Sequence, residues 1–123
     1  MKVLLVEDYH DTRQLMRMFL EQQGYDVVEA ADGQEAVAYA AVDGFNLVMM
    51  DLNLPVLDGY EATRRILAHP NSRHVPVVAF SAQCSGERRQ KAFEAGCLDC
   101  IEKPMDFDKI ERVLKRFAAG RQA

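Results

Sequence analysis

Short apolar runs alternate with longer amphipathic segments along the chain. Val3-Leu4-Leu5-Val6 is continuously apolar, as a strand buried on both faces requires. Leu15, Met16, Phe19 and Leu20 then share one helical face, with Asp11 or Thr12 as the expected N-cap and Gly24 as the stop. Val27-Val28 reads as a weaker second strand, and the alanine-rich segment from Gln34 to Val42, followed by Gly44, as a helix. Leu47 to Met50 is a third strand. A helix from Asp58 to Leu67 presents Ala62, Ile66 and Leu67 and is closed by His69-Pro70. Val75 to Phe80 is a fourth strand, Ser85 to Ala95 a helix ending at Gly96, and Leu98 to Ile101 a short fifth strand. Phe107, Ile110, Val113, Leu114 and Phe117 mark a last amphipathic helix. Strand followed by helix throughout predicts an α/β fold, a parallel sheet covered by helices on both faces.

In such a sheet ligands sit outside the carboxyl ends of the strands, so the residues that follow each apolar run carry the most information. Glu7 and Asp8 follow the first run, Asp51 the third and Ser81 the fourth, and Lys103 comes two residues after the fifth. A lone Asp or Ser at a strand end is most often a cap or turn residue, and a lone Lys is most often solvated. Their arrival together at one edge asks for a common explanation. Three carboxylates side by side repel one another and resist ionisation unless a cation intervenes. A hard divalent ion with oxygen ligands, Mg²⁺ above all, resolves that repulsion. A carboxylate beside such an ion can attack phosphorus and form an aspartyl phosphate, while a lysine and a hydroxyl bind the remaining phosphoryl oxygens.

Composition narrows the setting. The chain has 123 residues, 49% of them hydrophobic and 28% charged, with a formal net charge of −4. That length suits one domain with its own core, expected over residues 1–119, with 120–123 a disordered tail. The mild acidity argues against nucleic acid or an anionic membrane as the primary partner. No apolar run approaches the roughly 20 residues of a membrane span, and the first is too short for a signal peptide. Three cysteines suggest a reducing, cytoplasmic compartment rather than a disulfide framework. Cys97 and Cys100 form a Cys-x-x-Cys pair, but around a buried strand they are expected to be two small packers. A zinc site would have to add Cys84 and His74, and oxidation at Cys100 stays a minor reading. Met16, Met18, Met49, Met50 and Met105 are expected to fill the core. Arg88, Arg89, Lys91, Lys109, Arg112, Lys115 and Arg116 are expected on solvated helix faces near helix carboxyl ends, or on a docking surface.

Taken in order and spacing, Val3-Leu4-Leu5-Val6-Glu7-Asp8, Met49-Met50-Asp51-Leu52-Asn53-Leu54-Pro55, Asp58-Gly59, Val77-Val78-Ala79-Phe80-Ser81-Ala82 and Lys103-Pro104 resemble the response-regulator receiver domain of two-component signalling, a chemotaxis-receiver-like, flavodoxin-like fold. The resemblance runs over essentially the whole chain. It implies a three-layer α/β/α architecture with a five-stranded parallel sheet in the order 2-1-3-4-5, the order of chemotaxis receivers. It implies that Asp51 accepts a phosphoryl group from a histidine kinase or histidine phosphotransfer protein. Glu7, Asp8, Asp51 and the backbone carbonyl of Asn53 would hold Mg²⁺. Ser81 would move toward the phosphate, Ala82 would leave it room, and Lys103, joined to Pro104 by a cis bond, would bind a phosphate oxygen. Asn53 and Gln83 flank the site and could orient an attacking water. The family commonly has Tyr or Phe three residues before the lysine; this chain has Cys100 there. Residues 84–119 would form the surface that a downstream protein reads.

Three other readings are weaker. Haloacid-dehalogenase-like phosphohydrolases also use an Asp nucleophile with Mg²⁺, but they need Asp-x-Asp, and Asn53 in Asp51-Leu52-Asn53 cannot act as their general acid. No Gly-x-Gly-x-x-Gly or Walker loop is present. An inactive scaffold is disfavoured by the complete set of polar residues. The expected protein is therefore not an enzyme in the ordinary sense, beyond accepting and shedding its own phosphoryl group.

Overall fold

A computed structural model describes residues 1–104 and 106–118. Met105 and the expected tail 120–123 lie outside the described residues, as does Ala119. Five strands, β1 (Lys2–Val6), β2 (Asp26–Ala30), β3 (Leu47–Asp51), β4 (Val77–Ser81) and β5 (Asp99–Glu102), alternate with α1 (His10–Gln22), α2 (Gly33–Val42), α3 (Gly59–Ala68), α4 (Gly86–Ala95) and α5 (Phe107–Val113). A π-helical segment, Leu114–Ala118, continues α5. The sheet order is β2-β1-β3-β4-β5 and every neighbouring pair is parallel.

The alternation of strand side chains divides the core in two. Leu4, Val6, Val48, Met50, Val77, Ala79 and Cys100 face α2, α3 and α4, meeting Ala36, Ala40, Ala62, Ile66 and Ala92. Val3, Leu5, Leu47, Met49, Val78, Phe80 and Ile101 face α1 and α5, meeting Met16, Leu20, Ile110 and Val113. Because β1, β3 and β4 are covered on both sides, their side chains are buried throughout apart from Lys2. Each large apolar side chain so buried contributes about 2 kcal/mol.

Helix starts follow local chemistry. Asp32, Asp58 and Asp106 cap α2, α3 and α5, accepting the N–H of Glu35 at 2.8 Å, Glu61 at 2.9 Å and Lys109 at 2.7 Å. The α1 start departs from expectation. The helix begins at His10 after Tyr9, which makes no side-chain cap bond, and Asp11 lies inside the first turn, where its charge suits the helix dipole. Ser85 likewise precedes α4 without a side-chain cap bond. Gly96 ends α4 at φ +115° in the left-handed region, the stop its sequence position predicts.

Several residues expected in the core are not there. Leu15 and Met18 are more than half exposed, as is Leu98, which precedes β5 rather than joining it. Met16, Met49 and Met50 are buried as expected. Arg88, Arg89 and Lys91 do not sit in the last turn of α4, which contains no basic residue, whereas Arg112 lies in that of α5. The Cys97–Cys100 reading holds for Cys97 alone, a buried free thiol pushed up to about 11 by desolvation. Cys100 is bonded to Cys84, so the expectation of three reduced cysteines is corrected. Strand pairing, not sequence spacing, selects the partner.

The β3–α3 connection has one strained residue. Val56 has φ +69°, and Leu57 donates its N–H to the carbonyl of Pro55 at 2.7 Å, closing a three-residue turn around Val56. Positive φ is costly for a β-branched side chain, and this one is exposed and packs little. Val56→Gly is expected to raise stability by about 1 kcal/mol, measured as a higher urea midpoint with an unchanged slope.

Candidate functional site

The parallel register delivers the polar residues to one edge. Val6 pairs with Met50 and with Ala30, Asp51 with Phe80, and Ser81 with Glu102. The residues that follow or close β1, β3, β4 and β5, namely Glu7, Asp8, Asp51, Ser81 and Lys103, therefore share the carboxyl side of the sheet.

Asp51 is the last residue of β3 and almost fully buried. Its Oδ1 accepts the backbone N–H of Asn53 at 3.0 Å, and its Oδ2 accepts from Lys103 Nζ at 3.3 Å. Glu7 is wholly buried, with Oε1 taking a hydrogen bond from Lys103 Nζ at 2.8 Å and Oε2 one from the Tyr9 N–H at 3.1 Å. Lys103 thus bridges two carboxylates while its ammonium lies 5.1 Å from the centre of the Phe80 ring. Burial alone would push the lysine down, but its hydrogen bonds to Glu7 and Asp51 and their charges outweigh this and hold it above the ordinary lysine range. The Lys103–Pro104 bond is cis.

Asp8 is exposed at the rim. Its carboxyl stands above the ordinary range, first through partial desolvation, then through a hydrogen bond and charge repulsion from Glu7. Glu7, Asp8 and Asp51 each offer an oxygen within 4.8 Å of the other two. That donor set of oxygens alone, carrying more negative charge than one lysine balances, fits a hard divalent cation. No comparable group of His, Cys, Asp or Glu occurs elsewhere among the described residues, so the zinc arrangement of Cys84, Cys97, Cys100 and His74 is not formed.

Ser81 is buried at the end of β4. Its Oγ lies 3.4 Å from the Gln83 N–H, and its carbonyl accepts the Lys103 N–H at 2.7 Å. That last bond couples the β4 end directly to the lysine loop. Ala82, Gln83 and Asn53 are exposed around the opening.

Two supporting residues complete the site. A side chain on Gly59 would place its Cβ 2.2 Å from the Asp51 carbonyl oxygen, so only glycine lets α3 start against the end of β3. Arg13 donates from Nη1 to the Glu7 carbonyl at 2.8 Å and from Nε to Glu29 at 2.8 Å, pinning the acidic turn to α1 and β2. Arg17 joins the same carboxylate. Desolvation works to raise Glu29, but hydrogen bonds from Arg17 and Arg13 reverse this and hold it below the usual range. Arg13 reads in the sequence as one more solvated helix cation, because one partner is a backbone atom and the other, Glu29, lies on a different strand.

Known proteins agree with this arrangement. Residues 3–115 match the family model described as the response regulator receiver domain. The transcriptional regulatory protein ResD of Bacillus subtilis is 36% identical over 99% of this chain and 49% of its own length, so the chain spans about half of that relative. The receiver domain of the sensor histidine kinase PA1611 of Pseudomonas aeruginosa, solved with a magnesium ion coordinated in its active-site cleft, is 37% identical with a TM-score of 0.90, over 96% of this chain and 97% of that one. The receiver domain of the response regulator Ssk1 of Saccharomyces cerevisiae, crystallised with the histidine phosphotransfer protein Ypd1, is 29% identical with a TM-score of 0.91, over 98% of this chain and 90% of that complex's matched chain. With its fold, its sheet order and the acidic edge of that sheet all in place, the chain belongs to the response regulator receiver domain family.

Proposed function

We propose that this chain is a phosphorylation-gated signalling receiver in which Asp51 accepts a phosphoryl group from a phosphohistidine on a histidine kinase or a histidine phosphotransfer protein. The observation that carries this reading is the setting of Asp51. It is a buried carboxylate at the end of the central strand, oriented by the Asn53 N–H and Lys103 and flanked by Glu7 and Asp8. In transfer, an Asp51 carboxylate oxygen bonds to phosphorus as the donor's P–N bond breaks and the leaving imidazole takes a proton. Lys103 exchanges its hold on Asp51 for a phosphoryl oxygen, and the Ser81 hydroxyl donates to another. Glu7, Asp8, Asp51 and the Asn53 carbonyl would hold Mg²⁺, which when bound supplies charge neutralisation between acceptor and donor. Movement of Ser81 is passed to Lys103 through the bond between their backbones. Water attack on the acyl phosphate, guided by Asn53 or Gln83, returns inorganic phosphate and ends the signal.

The donor must reach the rim of this site, where Tyr9, Leu15 and Phe107 expose apolar surface. A cleft of about 400 Å³ lined by Leu15, Phe107 and Lys103 opens there. Residues 1–119 would form the receiver unit, with the α4–β5–α5 side, residues 84–119, read by a downstream protein. No helix among the described residues is long and apolar enough to cross a membrane, and we place the domain in the cytoplasm, where ATP-fed kinases act.

The test is incubation with acetyl phosphate, with and without Mg²⁺. A base-labile mass gain of one phosphoryl group that requires Mg²⁺ supports the reading, and no gain overturns it. Multiple turnover of a simple phosphate ester would favour a phosphohydrolase instead.

The raised Asp8 carboxyl makes a separate prediction. Ionising it costs the metal-free folded state stability as pH rises through its folded pKa, and Mg²⁺ binding requires the ionised form. Mg²⁺ should therefore raise Tm at neutral pH and lose that effect as the solution is acidified through the carboxylate range. Asp8→Asn should have a higher metal-free Tm and a weaker Mg²⁺ response. A Mg²⁺-induced rise in Tm that is independent of pH would contradict this account.

A further inference from the structure

Cys84 and Cys100 are 16 residues apart in sequence, yet their sulfurs are bonded across a Cα–Cα distance of 5.8 Å, within the span a disulfide accepts. The two are unequal. Cys84 lies in the β4–α4 loop and is partly exposed, whereas Cys100 is buried in β5. They form part of a cleft of about 430 Å³ also lined by Arg89, Lys109, Arg112 and Arg116. Arg89 is occupied, donating to the Cys100 carbonyl at 3.2 Å and lying 3.6 Å from Asp99. Glu102, the other acid of the cleft, accepts the Cys84 N–H at 3.3 Å. Lys109, Arg112 and Arg116 make no ion pair among the described residues. The cleft is therefore small, positively charged and open to an anionic molecule, and positive surroundings favour the thiolate that reacts. In a compartment that keeps thiols reduced, a protein disulfide is usually transient and redox-sensing.

We propose that Cys84 and Cys100 are a reversible redox site, closed by a small anionic disulfide such as oxidised glutathione and reopened by the corresponding thiol. The partly exposed Cys84 thiolate attacks one sulfur of that disulfide. The first thiolate leaves with the bond's electron pair and takes up the proton that Cys84 lost. The Cys100 thiolate then attacks the Cys84 sulfur of the mixed disulfide and expels the second small thiolate, which takes the Cys100 proton. Two protein thiols are oxidised and one small disulfide is reduced to two thiols. Closure ties the residue three positions after Ser81 to the residue three positions before Lys103, so the oxidised loop 82–85 is held against β5. The consequence for signalling, that oxidation restrains the Ser81 movement, rests on the phosphoryl-acceptor reading; the exchange chemistry does not.

The test equilibrates the reduced full chain with oxidised glutathione and maps the thiols by alkylation and mass spectrometry. The wild type should form the 84–100 bridge, with Cys97 alkylated once the acid-quenched protein is unfolded. Cys100→Ser should stop at a glutathione adduct on Cys84. Cys84→Ser should react at Cys100 at least about tenfold more slowly, because only the buried sulfur is left. Arg112→Glu with Arg116→Glu should slow bridge formation several-fold. Cysteines 84 and 100 that both stay alkylatable in excess oxidised glutathione, or an adduct on Cys97, would overturn the site. Amide hydrogen exchange of residues 82–86 should slow by about tenfold on oxidation without any phosphodonor, and equal exchange in the two states would overturn the tether. Absence of acetyl phosphate labelling in both redox states would instead overturn the acceptor reading and leave these measurements standing.

Discussion

Asp51→Asn protein incubated with acetyl phosphate and Mg²⁺ is expected to show no base-labile phosphoryl gain, a loss of at least about 10³-fold in labelling rate relative to the wild type. The amide oxygen that replaces the carboxylate carries no negative charge and is a poor nucleophile toward phosphorus. The fold should survive. The Asn53 N–H can still donate to the side-chain oxygen that now stands in for Oδ1, and the substitution relieves repulsion from Glu7 and Asp8 rather than adding to it. Unchanged circular dichroism and equal or higher metal-free stability would separate lost chemistry from lost structure. Labelling of the variant at the wild-type rate would move the acceptor away from Asp51.

Lys103→Met should damage both stability and transfer. The ammonium bridges Glu7, whose side chain is 1% exposed, and Asp51, at 3%. Removing it leaves two buried carboxylates facing each other without a cation, a change that typically costs about 3 kcal/mol. Mg²⁺ should restore part of that loss, because it addresses the same carboxylates. The raised lysine fixes the pH dependence. Its ion pairs contribute fully below the unfolded lysine pKa and are lost as pH rises through the higher folded value. The stability gap between wild type and variant should therefore persist at neutral pH and close only at strongly alkaline pH. Transfer from acetyl phosphate at saturating Mg²⁺ should fall about 10²-fold or more, the usual consequence of deleting one preorganised charge at a phosphoryl oxygen. Denaturant titrations across pH and labelling time courses read the two effects separately.

These effects follow from residues that the chain's apolar pattern already brings to one edge. β1, β3 and β4 are legible because burial on both faces makes them continuous apolar runs, and the residue that closes or follows such a run is placed with them. β2 is harder to read. It is an edge strand with only Ala30 fully buried, and Asp26 and Glu29 interrupt its apolar residues. The start of α1 is hidden because Tyr9 supplies no capping side chain, so Asp11 looks like a cap although it lies in the first turn. Leu15 and Met18 show that helical spacing finds a helix more reliably than it finds the buried stripe, since both are exposed, Leu15 at the rim of the site.

What spacing could not show is pairing between distant segments. Cys97 and Cys100 are close in sequence, but Cys97 packs beside Thr63 in the core while β4 and its loop bring Cys84 to Cys100. Arg13 is hidden for a different reason. Its importance lies in a hydrogen bond to the Glu7 carbonyl, and a backbone atom leaves no mark in a side-chain pattern. The aromatic position of the family, occupied here by Cys100, is tied to the loop after Ser81. The residue at that position thus forms a covalent connection to the β4–α4 loop.

Borohydride trapping locates the phosphoryl group, which on the proposed function is carried by the carboxylate of Asp51. Wild-type protein labelled with acetyl phosphate and Mg²⁺ is reduced with borohydride, which converts an aspartyl phosphate to homoserine, and its peptides are sequenced by mass spectrometry. Homoserine is expected at position 51 and is absent when Mg²⁺ is withheld. A labelled protein with aspartate intact at position 51, or with its phosphoryl group on a serine or histidine, would contradict it.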